Sequence, residues 1–214
     1  MKPTFAFFGA ATLLSVLASA HGAAAPDKTP NNSVMKIQYL LAGTGEQGKA
    51  YSSPVTSCTI WETRNGERVE LSGSGSSNVL LLPNEMNVGY LLDAKTKQAQ
   101  VFVKADYRFN IPTASDTKHL HNVKLCTPIN FQGYPCTVVE AKQTFAGEPG
   151  HVQIWAARVD GNPLLLRSYW QGEDGSTFLY EAVNVEQYKQ APADLLHIPA
   201  GYTIMPLKTA HAAP

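Results

Sequence analysis

The stretch that decides the fold is His151–Trp170, HVQIWAARVDGNPLLLRSYW, together with Ser176–Tyr188, STFLYEAVNVEQY. Both segments are rich in β-branched and aromatic residues, which favour strands. Alternate side chains of a strand point to opposite faces, and here both sets contain apolar residues. Along VQIWAAR, one set is Val152, Ile154 and Ala156 and the other is Gln153, Trp155 and Ala157; along LLLRSYW, one set is Leu164, Leu166 and Trp170 and the other is Leu165, Arg167 and Tyr169. A strand with one solvated face needs only one apolar set, so this pattern predicts a sheet that is apolar on both sides.

This apolar content has two interpretations. Either the chain's own segments cover both sides of the sheet, or a concave side is only partly covered and binds an apolar ligand. Aromatic rings suit such a binding site because they combine a large apolar area with a polar edge. The candidate ligand-binding residues are Tyr90, Trp155 and Tyr169.

From residue 34 onward the chain reads as short strands separated by turns. Arg64–Gly66 contains Asn-Gly, which is a strong hairpin signal between SCTIWET and ERVELSG. Pro192 favours a helix of one or two turns in PADLLHI, and a second short helix is expected after Pro112. About ten strands of this kind must curve or close to protect their edges. We therefore predict one mainly β domain over residues 34–207, a curved antiparallel sheet or half-barrel with one or two short helices.

The chain begins with the pattern of a signal peptide over residues 1–20. Lys2 supplies a positive charge, Phe5–Leu17 an apolar core, and Ala18–Ala20 a small-x-small cleavage site. Residues 21–33 then read as a flexible leader and residues 208–214 as a disordered tail. No cysteine near the cleavage site could carry a lipid, and no later apolar run reaches the ~20 residues of a spanning helix. The expected location is therefore periplasmic or secreted, without a membrane-spanning segment.

The charges of the chain exclude one class of partner. The sequence carries 17 basic and 17 acidic residues, and no lysine or arginine cluster interrupts this balance. A nucleic-acid-binding surface requires such a cluster to neutralise phosphates. We therefore expect no nucleic-acid partner.

Three cysteines allow one disulfide in an oxidising compartment. Cys126 and Cys136 flank TPINFQGYP, which reads as the tip of a hairpin, so we predict that these two form the bond. Cys58 is then left over, and its position beside Ile60 is typical of a small buried apolar residue.

Motifs that would indicate catalysis or metal binding are weak in this chain. Residues 43–50, GTGEQGKA, match a Gly-rich phosphate loop only superficially, because the following Pro54 prevents the helix that such a loop needs. His119 and His121 have a spacing that suits a metal site on a strand, yet no third ligand follows from the sequence, and exposed loop histidines are the favoured interpretation. No nucleophile, base and orienting group fall into a recognisable spacing. We predict neither enzymatic activity nor a bound metal or cofactor.

The order of several segments resembles the LolA-like superfamily of periplasmic proteins, in its branches related to the outer-membrane lipoprotein-sorting carriers. The resemblance runs from Thr59 to Tyr202 and rests on the segments TIWETRNGERVEL, NVGYLLDAKTKQ, FQGYPCTVVE, QIWAARVDGNPLLL and LLHIPAGY. It implies a curved, incompletely closed antiparallel sheet with an apolar concave face. Residues 26–33 cannot form the amphipathic helix with which the carriers open, and no arginine here matches their functional arginine.

The resemblance and the apolar faces together lead to one expected function and one alternative. We expect an exported, non-catalytic protein that binds a lipid or a lipoprotein acyl chain on the concave face. The alternative is an envelope scaffold or sensor that binds another protein and takes no small-molecule ligand.

Overall fold

The structure is a computed structural model that describes residues 34–44, 56–73, 76–104, 120–145, 147–159 and 162–207. The predicted signal peptide, leader and tail lie outside these ranges. So do the region of the helix expected after Pro112, the histidine His119 and most of the Gly-rich stretch 43–50.

The described residues form 13 strands, and almost every one is preceded by a turn former in the sequence. Their bounds are β1 Val34–Thr44, β2 Ser57–Thr63, β3 Gly66–Gly73, β4 Ser76–Pro83, β5 Val88–Asp93, β6 Gln98–Val103, β7 His121–Leu125, β8 Ile129–Phe131, β9 Tyr134–Phe145, β10 Glu148–Val159, β11 Asn162–Gly172, β12 Thr177–Tyr188 and β13 Thr203–Met205. Hydrogen bonds connect them in the order β13-β6-β5-β4-β3-β2-β1-β12-β11-β10-β9-β7, and β8 also pairs with β9. The predicted fold class, a mainly β chain built on one large open sheet, is confirmed.

The chain divides into two compact units. Unit 1 contains the described residues 40–44, 120–145, 147–159 and 162–182, and unit 2 contains residues 34–39, 56–73, 76–104 and 183–207. The prediction of a single domain over residues 34–207 stays a prediction.

Unit 1 is a set of long antiparallel strands with one fully buried face. Val152 of β10 opposes Trp170 of β11 and Ala141 of β9, and all three are buried. The Trp170 indole donates a hydrogen bond from Nε1 to the backbone oxygen of Gln143 at 3.1 Å, so its polar atom is satisfied inside the core. This face is therefore packed by the chain itself.

Unit 2 is a meander in which each hairpin follows the turn signals of the sequence. β2 and β3 form the predicted hairpin, but its turn consists of Arg64 and Asn65 alone, because Gly66 already belongs to β3 and opposes Thr63 at the end of the ladder. Gly66 has φ +145°, and a Cβ there would lie 2.4 Å from the Leu82 backbone oxygen, so the hairpin depends on glycine at this position.

One expectation about local structure is wrong. Residues 192–198 form consecutive turns in which Leu195 N donates to Pro192 O and His197 N to Asp194 O, so no helix follows Pro192. The sheet is mostly antiparallel, and the one parallel pair among the described strands joins β13 to β6. Residues 104–202 separate these two strands along the chain, which meets the need of a parallel pair for a long connection.

Candidate binding surfaces

Trp155, the first candidate ligand-binding residue, is covered by a charged side chain. Its ring lies on the face of unit 1 opposite to Val152 and is only 8% exposed. The Arg167 guanidinium carbon lies 4.7 Å from the ring centroid, and Arg167 Nε lies 3.1 Å from Glu181 Oε2. The indole thus has an intramolecular cation–π partner on its outer side.

Tyr169 lies on the same face of unit 1, directly opposite Gln153 in the register of β10 and β11. Gln153 in turn donates from Nε2 to Glu140 Oε1 at 2.7 Å. Around the half-buried Tyr169, this face therefore combines the polar groups of Gln153 and Glu140 with the half-buried Leu179, which opposes Tyr169 across β11 and β12.

Tyr90, the third candidate, belongs to unit 2. It opposes Leu81 in the register of β4 and β5 and packs against the buried cluster of Leu81, Leu92 and Ala99. Ile198 and Tyr202, from the segment before β13, pack against the same cluster. The chain's own C-terminal segment thus occupies the surroundings of Tyr90, and the ligand-binding role of all three aromatic residues stays a prediction.

The predicted disulfide is wrong. All three cysteines are free thiols, namely Cys58, Cys126 and Cys136. The register of the hairpin explains this. Cys126 N bonds to Val138 O, whereas Cys136 opposes Ile129. The two cysteines are therefore diagonal neighbours rather than a direct pair, and diagonal positions lie about 7–8 Å apart, beyond the usual reach of a disulfide. The expected burial of Cys58 is confirmed, since it is 1% exposed.

Histidine at the start of β7 does not form a metal site with described neighbours. His121 is exposed and opposes Lys142 of β9, which repels a cation rather than binding one. No group of three or more potential metal ligands occurs among the residues that the structure describes. Among the residues that the structure describes, no helix is long and apolar enough to cross a membrane.

The strand β7, which ends the hydrogen-bonded order of strands in unit 1, exposes apolar side chains that the sequence analysis did not identify. Val123 and Leu125 of β7 are 45% and 46% exposed, and Ile129 of β8 is 40% exposed. Leu125 opposes Val139, which is buried and in turn opposes the buried Ile154. The apolar face of unit 1 is thus buried at β9 and β10 and becomes exposed at β7. We call His121–Leu125 together with Ile129 the β7 edge.

The opposite face of the β7 edge is basic. His121 opposes Lys142, Lys142 opposes His151, and Lys124 opposes Glu140. The single carboxylate in this set, that of Glu140, already accepts the hydrogen bond from the Gln153 side chain. The β7 edge therefore combines an apolar side with a basic side.

Unit 2 holds two half-buried glutamates next to each other. Glu62 and Glu67 oppose each other across β2 and β3, on the same face as the buried Ile60 and Val69. Burial, and then the charge of Glu67, raise the pKa of Glu62 to about 8. Burial also raises the pKa of Glu67, although the Lys104 ammonium acts in the other direction.

The thiol of Cys58 lies on this same face of unit 2. Burial and the nearby Glu70 carboxylate raise its pKa to about 12. At neutral pH the thiol is therefore protonated, and it behaves as a structural rather than a nucleophilic group.

Comparison with known proteins shows the fold of the chain. No protein-family model matches the sequence, and no curated protein matches it either. Among solved structures, an uncharacterized conserved protein from Thermus thermophilus superposes with a TM-score of 0.55 at 12% identity, covering 84% of this chain and 93% of that one.

Two further solved structures are similar at lower scores. MucB in complex with MucA gives a TM-score of 0.48 at 14% identity, with 90% of this chain and 60% of that chain covered. The Mycobacterium tuberculosis lipoprotein LppX gives 0.41 at 13% identity, with 86% and 98% covered. At 12% identity, the similarity to the Thermus thermophilus protein shows the fold alone and no family membership.

Proposed function

We propose that this chain is an exported, non-catalytic protein that binds an extended segment of another protein at the β7 edge. The observation that carries the proposal is the exposure of Val123 and Leu125 at the end of an otherwise buried apolar face. Export rests on the signal-peptide pattern of residues 1–20, which indicates a location in the periplasm or outside the cell.

The backbone of β7 supports binding of an added strand. Among the described residues, β7 pairs with β9 on one side and has no strand partner on its other side. A terminal strand of this kind carries backbone N–H and C=O groups that an extended peptide satisfies by adding to the sheet. The side chains of the added strand then alternate between the apolar face and the basic face.

The two faces of the edge define the chemistry of the partner segment. Val123 and Leu125 lie on one face, where they favour apolar partner residues. Lys124, Lys142 and His151 lie on the other face, where they favour acidic ones. The partner segment therefore alternates apolar and acidic residues, and salt weakens its binding.

A second candidate function is the binding of an acyl chain, as expected from the sequence. It is favoured by the continuity between Leu125 and the buried apolar residues Val139 and Ile154. An acyl chain that lies along this face would need no backbone partner and no acidic group.

The experiment measures binding of a fluorescent decapeptide of alternating valine and glutamate to the mature protein. The double variant Val123→Asn, Leu125→Asn removes the apolar side of the edge without adding charge, and Val183→Asn, at an exposed position of β12, is the matched control. We expect the double variant to bind at least about tenfold more weakly, which corresponds to about 1.4 kcal/mol, and the control to bind like the natural protein.

The outcome also decides between the two candidates. Equal binding by the double variant and the control would contradict the proposal. If the peptide does not bind but myristate raises the melting temperature of the natural protein and not that of the double variant, the acyl-chain function replaces it.

A further inference from the structure

Unit 2 contains a cleft of about 780 Å³ that is separate from the β7 edge. Its walls come from the start of β1, the β2–β3 turn, the β4–β5 turn and the segment after β12. The lining residues used below are Arg64, Asn65, Glu85, Lys189, Gln190 and His197. This volume lies within the range of about 300–1,000 Å³ that is typical of small-molecule sites.

The walls of the cleft are held in place by hydrogen bonds. Asn84 Nδ2 donates to Arg64 O at 3.0 Å, and Asn84 N donates to Asn65 O at 2.8 Å, which fixes the β2–β3 turn. On the other wall, Arg68 Nη1 lies 3.4 Å from Leu195 O. Leu195 itself is buried and anchors this segment to the sheet. The cleft is thus formed before any ligand binds.

The charges that line the cleft are mostly positive. Arg64 and Lys189 are cationic, His197 adds a ring whose Nδ1 lies 3.2 Å from Ala193 O, and Glu85 is the single acidic side chain in the lining. Neither Arg64 nor Lys189 forms an ion pair with another described residue. In the same unit, Lys36 and Arg68 are paired with glutamates, whereas the exposed side chains of Arg64 and Lys189 keep their charges available to a ligand in the cleft.

We infer that this cleft binds a phosphate monoester with a hydroxylated remainder. Two separate cations match the double negative charge of a phosphate monoester, and an arginine fork can bind two of its oxygens at once. The side-chain amides of Asn65 and Gln190 supply donors and acceptors for hydroxyl groups beyond the phosphate. The phosphate could belong to a free small molecule or to a lipid headgroup.

The test measures binding of sn-glycerol 3-phosphate to the mature protein by calorimetry at low ionic strength. The double variant Arg64→Gln, Lys189→Gln should bind at least about tenfold more weakly. Lys95→Gln, at an exposed turn of the same unit, should bind like the natural protein. Glu85→Gln removes the acidic lining group and should tighten binding severalfold, a gain that general damage to the fold would not produce.

Vesicles distinguish the two sources of the phosphate. Co-sedimentation with phosphatidic acid vesicles, but not with phosphatidylcholine vesicles, that depends on Arg64 and Lys189 assigns the ligand to a lipid headgroup. Binding of glycerol 3-phosphate without co-sedimentation assigns it to a free molecule. The inference is overturned if the natural protein binds neither probe, or if the double variant binds as tightly as the Lys95→Gln control.

Discussion

Each unit buries one face of its strands, and the two buried faces differ in the ionisable groups that they contain. In unit 1 the buried face is neutral, and its largest side chain, Trp170, is hydrogen-bonded to a backbone oxygen. In unit 2 the buried face also holds the carboxyl groups of Glu62 and Glu67 and the thiol of Cys58. Burial of an ionisable group favours its neutral form, so folding of unit 2 is coupled to the protons of Glu62 and Glu67.

The outer faces differ as well. In unit 1 charged and amide groups lie over Trp155, whereas in unit 2 Ile198 and Tyr202 of the chain itself cover the apolar cluster around Leu81. Contacts between exposed charged groups are weakened by salt and contribute little to the free energy of unfolding. Contacts between apolar side chains are not screened by salt. Unit 2 thus covers the cluster around Leu81 with its own chain, and unit 1 exposes Val123 and Leu125 at the β7 edge. Exposed apolar side chains also occur in unit 2, at Val183 and Ile204.

The largest expected effect comes from the neutral core of unit 1. Trp170→Ala should lower the free energy of unfolding by about 3–5 kcal/mol, because it leaves a cavity and an unpaired carbonyl at Gln143. Denaturant unfolding of the variant measures the loss. The control is Tyr169→Ala, its neighbour on the outer face, which should cost much less. Equal losses for the two variants would show that the faces of unit 1 are not distinct.

The carboxyl pair of unit 2 gives the next effect. The pKa of Glu62 is about 8 in the folded state and near 4.5 when unfolded, so the folded protein holds a proton that the unfolded chain releases. Its contribution to stability is fully present below pH 4.5 and is lost as pH rises toward 8, by an amount on the order of a few kcal/mol.

Glu62→Gln tests this coupling, because a neutral amide of similar shape removes the titration. We expect the variant to lose less stability than the natural protein between about pH 5 and pH 8 in denaturant unfolding. Glu85→Gln, at an exposed position, should keep the natural pH dependence. If both variants show the natural slope, the pH dependence does not arise from this pair.

The smallest effect is expected on the outer face of unit 1. Arg167→Gln removes the ion pair with Glu181 and the cation–π contact with Trp155. Partly exposed contacts of this kind contribute about 1 kcal/mol or less, and added salt should shrink the difference. Thermal unfolding at low and high ionic strength checks this. A loss as large as that of Trp170→Ala would mean that the outer face is part of the core.

Local signals in the sequence were enough to predict the hairpins. The Asn65-Gly66 signal predicts the β2–β3 hairpin but not its register. A turn centred on Asn65 and Gly66 would place Val69 opposite Glu62, whereas the observed turn of Arg64 and Asn65 places Glu67 there, so this carboxyl pair could not be found from the sequence. The alternation along β10 is correct up to Trp155, where a bulge shifts the register so that Ala156 and Ala157 are both buried. A bulge of this kind depends on the partner strand and leaves no clear trace in the sequence.

The candidate sites could not be predicted, because they depend on the order of strands. Arg167 covers Trp155 only because β11 pairs with β10 in one particular register. The exposure of Leu125 depends on β7 being last in its sheet, and the cleft lined by Arg64 and Lys189 depends on where residues 189–197 return. These are contacts between segments distant in sequence, and alternation within one segment does not determine them.

The three free cysteines give this protein a natural reporter of its own binding. Cys58 and Cys136 are buried, whereas Cys126 is half-exposed and lies between β7 and β8. A maleimide dye should therefore label Cys126 selectively in the folded protein. Partial desolvation and the Glu140 carboxylate raise the pKa of this thiol, so labelling proceeds best at mildly alkaline pH. The dye would then sit beside the proposed protein-binding edge, where its fluorescence follows a partner without any engineered residue.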